Sequence, residues 1–195
     1  MNFQEINYLM LNNMIEVEIK AKIDDKNEAF KKINEIGGVY SHSEKHHDIY
    51  FNGDNTDFRK TDEALRIRQI PDRDDFKKIL TYKGPKLNGE TKTRKEVEVE
   101  INDTDSMAEI LVNLGYKPSA IVDKVRRVFK YEDYTITVDK LNQLGYFIEI
   151  ESVINDDNDI TDVEEKIKGI FNKLDITRGF ENLSYLELLE KANEK

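Results

Sequence analysis

Residues 15–23 read Ile-Glu-Val-Glu-Ile-Lys-Ala-Lys-Ile, with Ile15, Val17, Ile19, Ala21 and Ile23 alternating against Glu16, Glu18, Lys20 and Lys22. A period of two puts the apolar residues on one side of a β-strand and the charged ones on the other. The apolar row demands cover, and the chain supplies it at once. Asp25 and Glu28 have the spacing of a helix start, Ala29, Phe30, Ile33 and Ile36 make an apolar stripe, and Gly37-Gly38 ends it. A strand followed by a covering helix therefore opens the fold, and the charged row is left to face either water or an enclosed space.

Further strands are predicted around His47–Phe51, Ala64–Ile70, Ile79–Lys83 and Arg94–Ile101, between polar, Gly- or Pro-bearing loops that include residues 53–63 and 71–76. Asp105 or Ser106 opens a second helix carrying Met107, Ile110, Leu111 and Leu114, and Gly115 ends it. Strands over Ile121–Tyr131, Tyr134–Asp139 and Tyr146–Ser152 follow as a meander. Thr161 with Glu164 and Ser184 with Glu187 are capping boxes, which makes the last quarter mainly helical. The order is α+β, dominated by antiparallel sheet. Residues 1–13, rich in Asn and without a period, are expected to be an extension, and 14–195 to be one domain.

Bulk properties narrow the function classes. The formal net charge of -10 opposes general binding to a phosphate backbone, so no nucleic-acid partner is expected. No apolar run reaches the roughly 20 residues that cross a bilayer, so no membrane partner is expected either. Cysteine is absent, which removes disulfides, thiolate nucleophiles and Cys-based zinc sites, and fits a reducing cytoplasm. His42, His46 and His47 cluster, but His46 and His47 point to opposite faces of a strand and lack an HExxH context, so no zinc site is expected. Tyr131, Tyr134 and Tyr146 are read as packing residues.

The polar strand faces carry the functional signal. In order they present Glu16, Glu18 and Lys20; Arg66 and Arg68; Lys83; Arg94, Glu96 and Glu98; Lys124 and Arg126; Asp139; Glu149 and Glu151. In a chain that is 36% charged, any one such face is ordinarily a solvated sheet surface. If the sheet closes into a barrel, the same residues become one site. Lys and Arg match phosphoryl oxygens, whereas carboxylates beside phosphate need bridging metal, so mixed charge favours a metal-triphosphate over a bare anion.

Glu16-Val17-Glu18-Ile19-Lys20 resembles the ExExK signature of the CYTH superfamily, the triphosphate tunnel metalloenzymes. The resemblance continues through Asp48-Ile49-Tyr50, Leu65-Arg66-Ile67-Arg68, Lys83-Gly84-Pro85, Arg94-Lys95-Glu96, Lys124 with Arg126, Ile136-Thr137-Val138-Asp139, and Glu149 with Glu151, covering residues 14–190. It implies a closed antiparallel β-barrel with flanking helices. It also implies Mg2+ or Mn2+ on Glu16, Glu18 and Glu151, assisted by Glu149, and a triphosphate on Lys20, Arg66, Arg68, Lys83, Lys124 and Arg126. Glu96, Glu98 and Asp139 resemble family carboxylates that approach a second metal or orient the basic residues, and Arg94 is a further phosphate-ligand candidate.

The segments Leu114-Gly115-Tyr116-Lys117-Pro118, Thr137–Leu141 with Leu144-Gly145, and Ser184–Leu189 look most like class IV adenylate cyclases. That subgroup implies conversion of ATP to cyclic AMP and pyrophosphate, with a homodimer as a further expectation. A triphosphatase acting on thiamine triphosphate or inorganic triphosphate would use the same cradle, because only the attacked phosphorus differs. A non-catalytic nucleotide or polyphosphate binder is a third class. It has less need of Glu16, Glu18, Glu149 and Glu151.

Overall fold

The computed structural model describes residues 14–73, 75–87, 93–155 and 159–193; the expected extension over 1–13 lies outside them. The elements in chain order are β1 (Met14–Ile23), α1 (Lys26–Glu35), β2 (Val39–Gly53), α2 (Phe58–Thr61), β3 (Ala64–Asp72), β4 (Asp75–Lys83), β5 (Arg94–Glu100), α3 (Thr104–Asn113), β6 (Tyr116–Tyr131), β7 (Tyr134–Leu141), β8 (Gly145–Asn155), α4 (Ile160–Lys173) and α5 (Tyr185–Asn193). The strands close into an antiparallel barrel in the order β1-β5-β4-β3-β2-β6-β7-β8. Two meanders, β2 to β5 and β6 to β8, are joined along one seam by β2 against β6 and along the other by β1, which pairs with both β8 and β5.

Closure settles which face of β1 is covered. Ile15, Val17, Ile19 and Ala21 point outward and are buried with Phe129, Ile136, Val138, Ile148 and Ile150 beneath Ile33 of α1, Ile167, Ile170 and Phe171 of α4, and Leu174 at its C-terminal cap. The main apolar core thus lies outside the barrel, between sheet and helices, and each fully covered aliphatic side chain contributes about 1.5–3 kcal/mol. A second cluster under α3 joins Phe51, Phe58, Leu65, Ile67 and Leu111. A third stops one end of the lumen, where Tyr185 of α5 packs with Val122, Leu141 and Phe147, flanked by Tyr50, Leu186 and Leu189.

Local signals and observed boundaries differ where a nearer cap wins. Asp103, not Asp105 or Ser106, caps α3 by accepting from the Ser106 amide at 2.7 Å. Asp159, not Thr161, caps α4 through the Thr161 amide at 2.9 Å. Both are Asx caps placed before the helix in extended backbone, and they leave Glu164 to accept from Thr93 Oγ1. The Ser184/Glu187 box forms reciprocally, at 2.7 and 3.2 Å. β2 is much longer than expected because the mostly polar residues 39–46 pair with β6, and of the expected loop over 71–76, Pro71 and Asp72 belong to β3 and lie opposite Phe76 and Asp75 of β4.

Candidate active site and metal centre

The register turns the polar faces into one lumen. Glu18 lies opposite Glu151, Lys20 opposite Glu149, Glu16 opposite Arg94, Lys83 opposite Glu96 and Arg126 opposite Asp139. Carboxylate oxygens of Glu16, Glu18 and Glu151 lie within 4.8 Å of one another, the one such ligand group among the described residues. Burial raises the Glu16 carboxyl above its usual range although Lys83 opposes it, and burial with Glu16 and Glu18 pushes Glu151 up to about 8. Glu16 and Glu151 therefore resist ionising together, and a cation placed among the three oxygens would relieve that resistance. An all-oxygen set of this kind fits a hard divalent cation such as Mg2+ or Mn2+. Glu149, the fourth expected ligand, is drawn to Arg126 and stands outside that group.

The basic side chains are each braced by a carboxylate from a neighbouring strand. Asp48 accepts from Arg68 Nε and Nη2, both at 2.7 Å, and from Arg66 Nη1 at 3.5 Å. Arg66 also donates to Thr81 Oγ1 at 3.1 Å and to Glu98 at 3.5 Å. Asp139 accepts from Lys124 at 3.1 Å and from Arg126 Nε and Nη2 at 2.8 and 2.6 Å. Lys83 donates to Glu16 at 2.8 Å and to Glu96 at 2.6 Å. Burial works against ionising Asp48 and Asp139, yet Arg66 and Arg68 hold the first, and Arg126 and Lys124 the second, below the usual carboxylate range. Burial and then Arg126 push the Lys124 ammonium down to about 8, with Asp139 offsetting only part of this. Glu96, Glu98 and Asp139 thus each accept a hydrogen bond from one or more of these cations.

Two expected phosphate ligands have other partners here. Arg94 donates to the Asp62 and Gly84 carbonyls at 3.1 and 3.2 Å and meets the Asp62 carboxylate at 3.4 Å, so it ties the loop after Lys83 to the end of α2. Lys20 is 1% exposed, donates to the Leu183 carbonyl at 2.6 Å and lies 4.0 Å from the Tyr185 ring centre, on the stopped end of the barrel. Conversely, Asp48 and Thr81 belong to the cradle and were absent from the sequence-derived set. Asp48 shares strand parity with Tyr50, so its face was readable, but its two arginine partners follow only from the β2–β3 register. His46 and His47 do point apart, His46 to Glu44 at 2.6 Å and His47 to Asp123 at 2.7 Å.

The lumen encloses a cavity of about 1160 Å3 lined by Glu16, Glu18, Arg66, Arg68, Lys83, Lys124, Arg126, Glu149 and Glu151 and, towards α2 and α5, by Tyr50, Phe58 and Leu186. That exceeds the roughly 300–1,000 Å3 usual for sites that bury a whole organic ligand. Among the described residues, no helix is long and apolar enough to cross a membrane.

The family model for the CYTH domain matches residues 14–180. A Methanocaldococcus jannaschii protein named "Putative adenylate cyclase MJ0240" is 43% identical over 178 residues, covering 90% of this chain and 98% of that one. Among solved structures, a Pyrococcus horikoshii protein, PH1819, superposes with a TM-score of 0.83 at 42% identity over 90% of this chain and 98% of its own. A Hippeastrum protein described as a "Putative adenylyl cyclase" with a dominant triphosphatase activity shares the fold at a TM-score of 0.66 and 16% identity, over 91% of this chain and 95% of its own.

Proposed function

Because the chain belongs to the CYTH domain family, we propose that it is a divalent-cation-dependent enzyme acting on a nucleoside triphosphate, a class IV type adenylate cyclase that converts ATP to cyclic AMP and pyrophosphate. One observation carries this reading: the convergent Glu16, Glu18 and Glu151 oxygens share a closed lumen with Arg66, Arg68, Lys83, Lys124 and Arg126. A binder of phosphate alone has use for the cations but not for three carboxylates that repel its ligand.

In the cyclase, the ribose 3'-oxygen bonds to the α-phosphorus while the bond from that phosphorus to the bridging oxygen breaks. The hydroxyl proton passes to solvent and the electron pair leaves on pyrophosphate. Mg2+ or Mn2+ held by Glu16, Glu18 and Glu151 would supply Lewis acidity for deprotonating the hydroxyl and offset charge growing at phosphorus. Arg66, Arg68, Lys83, Lys124 and Arg126 bind the phosphoryl oxygens, and the guanidinium forks suit bidentate contact. Asp48 and Asp139 keep those forks aimed into the lumen before the ligand arrives, so little reorganisation is left to the reaction. No side-chain nucleophile is needed.

A triphosphatase would use the same cradle with water attacking the terminal phosphorus, and the activity described for the Hippeastrum protein of this fold favours keeping that second reading. The products decide. The protein is incubated with ATP, thiamine triphosphate or inorganic triphosphate, each with Mg2+ or Mn2+. Cyclic AMP with pyrophosphate is expected, and orthophosphate without cyclic AMP overturns the cyclase. The double change Glu16→Gln, Glu18→Gln should abolish turnover while the fold persists, since it removes charge at nearly constant size. Full activity in that variant refutes the metal assignment.

A further inference from the structure

His42, Glu44 and His46 occupy one face of β2, the face that also carries Asp48 into the lumen. His46 is only 4% exposed. Its strand partner on β6 is Lys124, and that of Glu44 is Arg126, so this run backs two cations that line the cavity. On the β7 side those cations have Asp139. On the β2 side their neighbours are a carboxylate and an imidazole.

The hydrogen bonds fix which ring nitrogen carries the proton. Glu44 faces His46 Nε2 at 2.6 Å and His42 Nε2 at 3.1 Å. The His46 bond, working against burial, holds the Glu44 carboxyl down at about 2, so Glu44 is ionised and His46 Nε2 is the donor. The lone pair then lies on Nδ1, which is sealed from solvent and has no hydrogen-bond partner among the described residues. The charged groups that face this imidazole are Glu44 and Asp48 on its own strand, Arg68 on β3, and Lys124 and Arg126 on β6. Burial pushes His46 down to about 4, with the Glu44 bond opposing and Arg68, Lys124 and Arg126 adding to the fall. Those three cations are phosphate ligands in the reading above, so a polyanion seated on them offsets the field that keeps a proton off Nδ1.

We propose that His46 is a latent cation of the cradle: a triphosphate bound on Arg68, Lys124 and Arg126 draws one proton from solvent onto His46 Nδ1, and the imidazolium adds positive charge behind the phosphates. Nε2–H still donates to Glu44, whose carboxylate balances the new charge. No contact with the substrate is needed, because the charge acts across the β2–β6 ladder. The inference rests on the triphosphate reading of the cradle. The sign follows from linkage: loading raises the proton affinity of His46, so binding tightens as pH falls towards about 4, below which the empty cradle holds the same proton and no further gain remains.

Nitrogen NMR of histidine-labelled protein tests this site by site, because the chain has three histidines and the His46 signal is the one missing from His46→Gln. If that variant fails to fold, His42→Gln and His47→Gln assign the signals instead. The Nδ1 shift is followed against pH for free protein and for protein saturated with inorganic triphosphate and Mg2+. Free His46 should keep its lone pair at every pH above about 5, and loading should raise its midpoint by about one pH unit or more. Glu44→Gln, which removes the balancing carboxylate, should lower the loaded midpoint. In calorimetric titrations the ratio of parent to His46→Gln affinity, which cancels protons carried by the ligand itself, should grow as pH falls from about 8 to about 5, by up to about tenfold for each pH unit of rise. A loaded midpoint that rises less than this, or a ratio that is flat with pH, overturns the inference while triphosphate binding stands. If the parent binds no triphosphate at any pH, the reading of the cradle falls and takes the inference with it.

Discussion

Replacing Glu151 by Gln tests whether the carboxylates of the lumen form a cation cradle under like-charge load. Burial, and then Glu16 and Glu18, push the Glu151 carboxyl from an ordinary 4.5 up to about 8. Below 4.5 the folded and unfolded chains both hold the proton, so this group's contribution is fully present. As pH rises towards 8, the unfolded chain has released a proton that the metal-free fold still retains, and stability falls. At about 1.4 kcal/mol per pH unit that interval has an upper bound of about 5 kcal/mol. Glu151 is partly exposed to the cavity, and water there screens it, so about half of that, 2–3 kcal/mol, is expected. Gln keeps the shape and carries no charge. In EDTA at pH 9 the variant should therefore melt roughly 5–10 °C above the parent for a chain of this size. At pH 5, where the parent already holds its proton, the two should melt nearly together. Mn2+ should raise the parent more than the variant, because the variant has lost a ligand that the ion takes in place of the proton. Scanning calorimetry reads all of these. If Glu151→Gln melts at or below the parent at pH 9 in EDTA, the load does not exist and the reasoning is refuted.

Asp48→Asn should destabilise by about 3–5 kcal/mol in urea unfolding, because it leaves Arg66 and Arg68 without their buried anion; it should also weaken triphosphate binding by letting both forks wander. Arg94→Gln should cost about 1–3 kcal/mol of stability through its lost carbonyl contacts, while changing triphosphate affinity less than the tenfold expected of a direct phosphate ligand; a larger affinity loss at unchanged stability would restore it as a ligand. Gly179→Ala should lower stability by about 1–3 kcal/mol, since φ there is +79° and a Cβ would come within 2.8 Å of the Lys22 carbonyl oxygen, and a thermal melt checks it.

Much of the fold is legible because the barrel is built from local alternation. Each strand has its apolar row at a period of two, and the helices that cover those rows announce themselves by stripe and stop. The ends were less legible. Residues 39–46 contain little apolar signal, and they become strand because β6 offers a long partner, which is a fact about register across some eighty residues of chain. The caps of α3 and α4 lie two or three residues before the expected positions because a preceding Asp competes with the hydroxyl or carboxylate there.

For the candidate site, sequence alternation names the face but not what the face encloses. Arg68 opposite Asp48, or Arg126 opposite Asp139, would pair across strands just as well on an open, solvated sheet. What distinguishes the two cases is burial. Asp139 is 0% exposed and Lys124 6%, and charges are not taken that far out of water unless the structure holds them by several partners at once. The meander supplies such partners, because β7 lies between β6 and β8, and Arg126 bridges from Asp139 to Glu149 across it. Lys20 has different neighbours from these cations. Its strand position is that of a phosphate ligand, but at the stopped end of the barrel the Leu183 carbonyl and the Tyr185 ring reach it first. A strand periodicity therefore predicts which side chains face inward, while closure of the lumen and the segment that stops it set the neighbours that each of them meets.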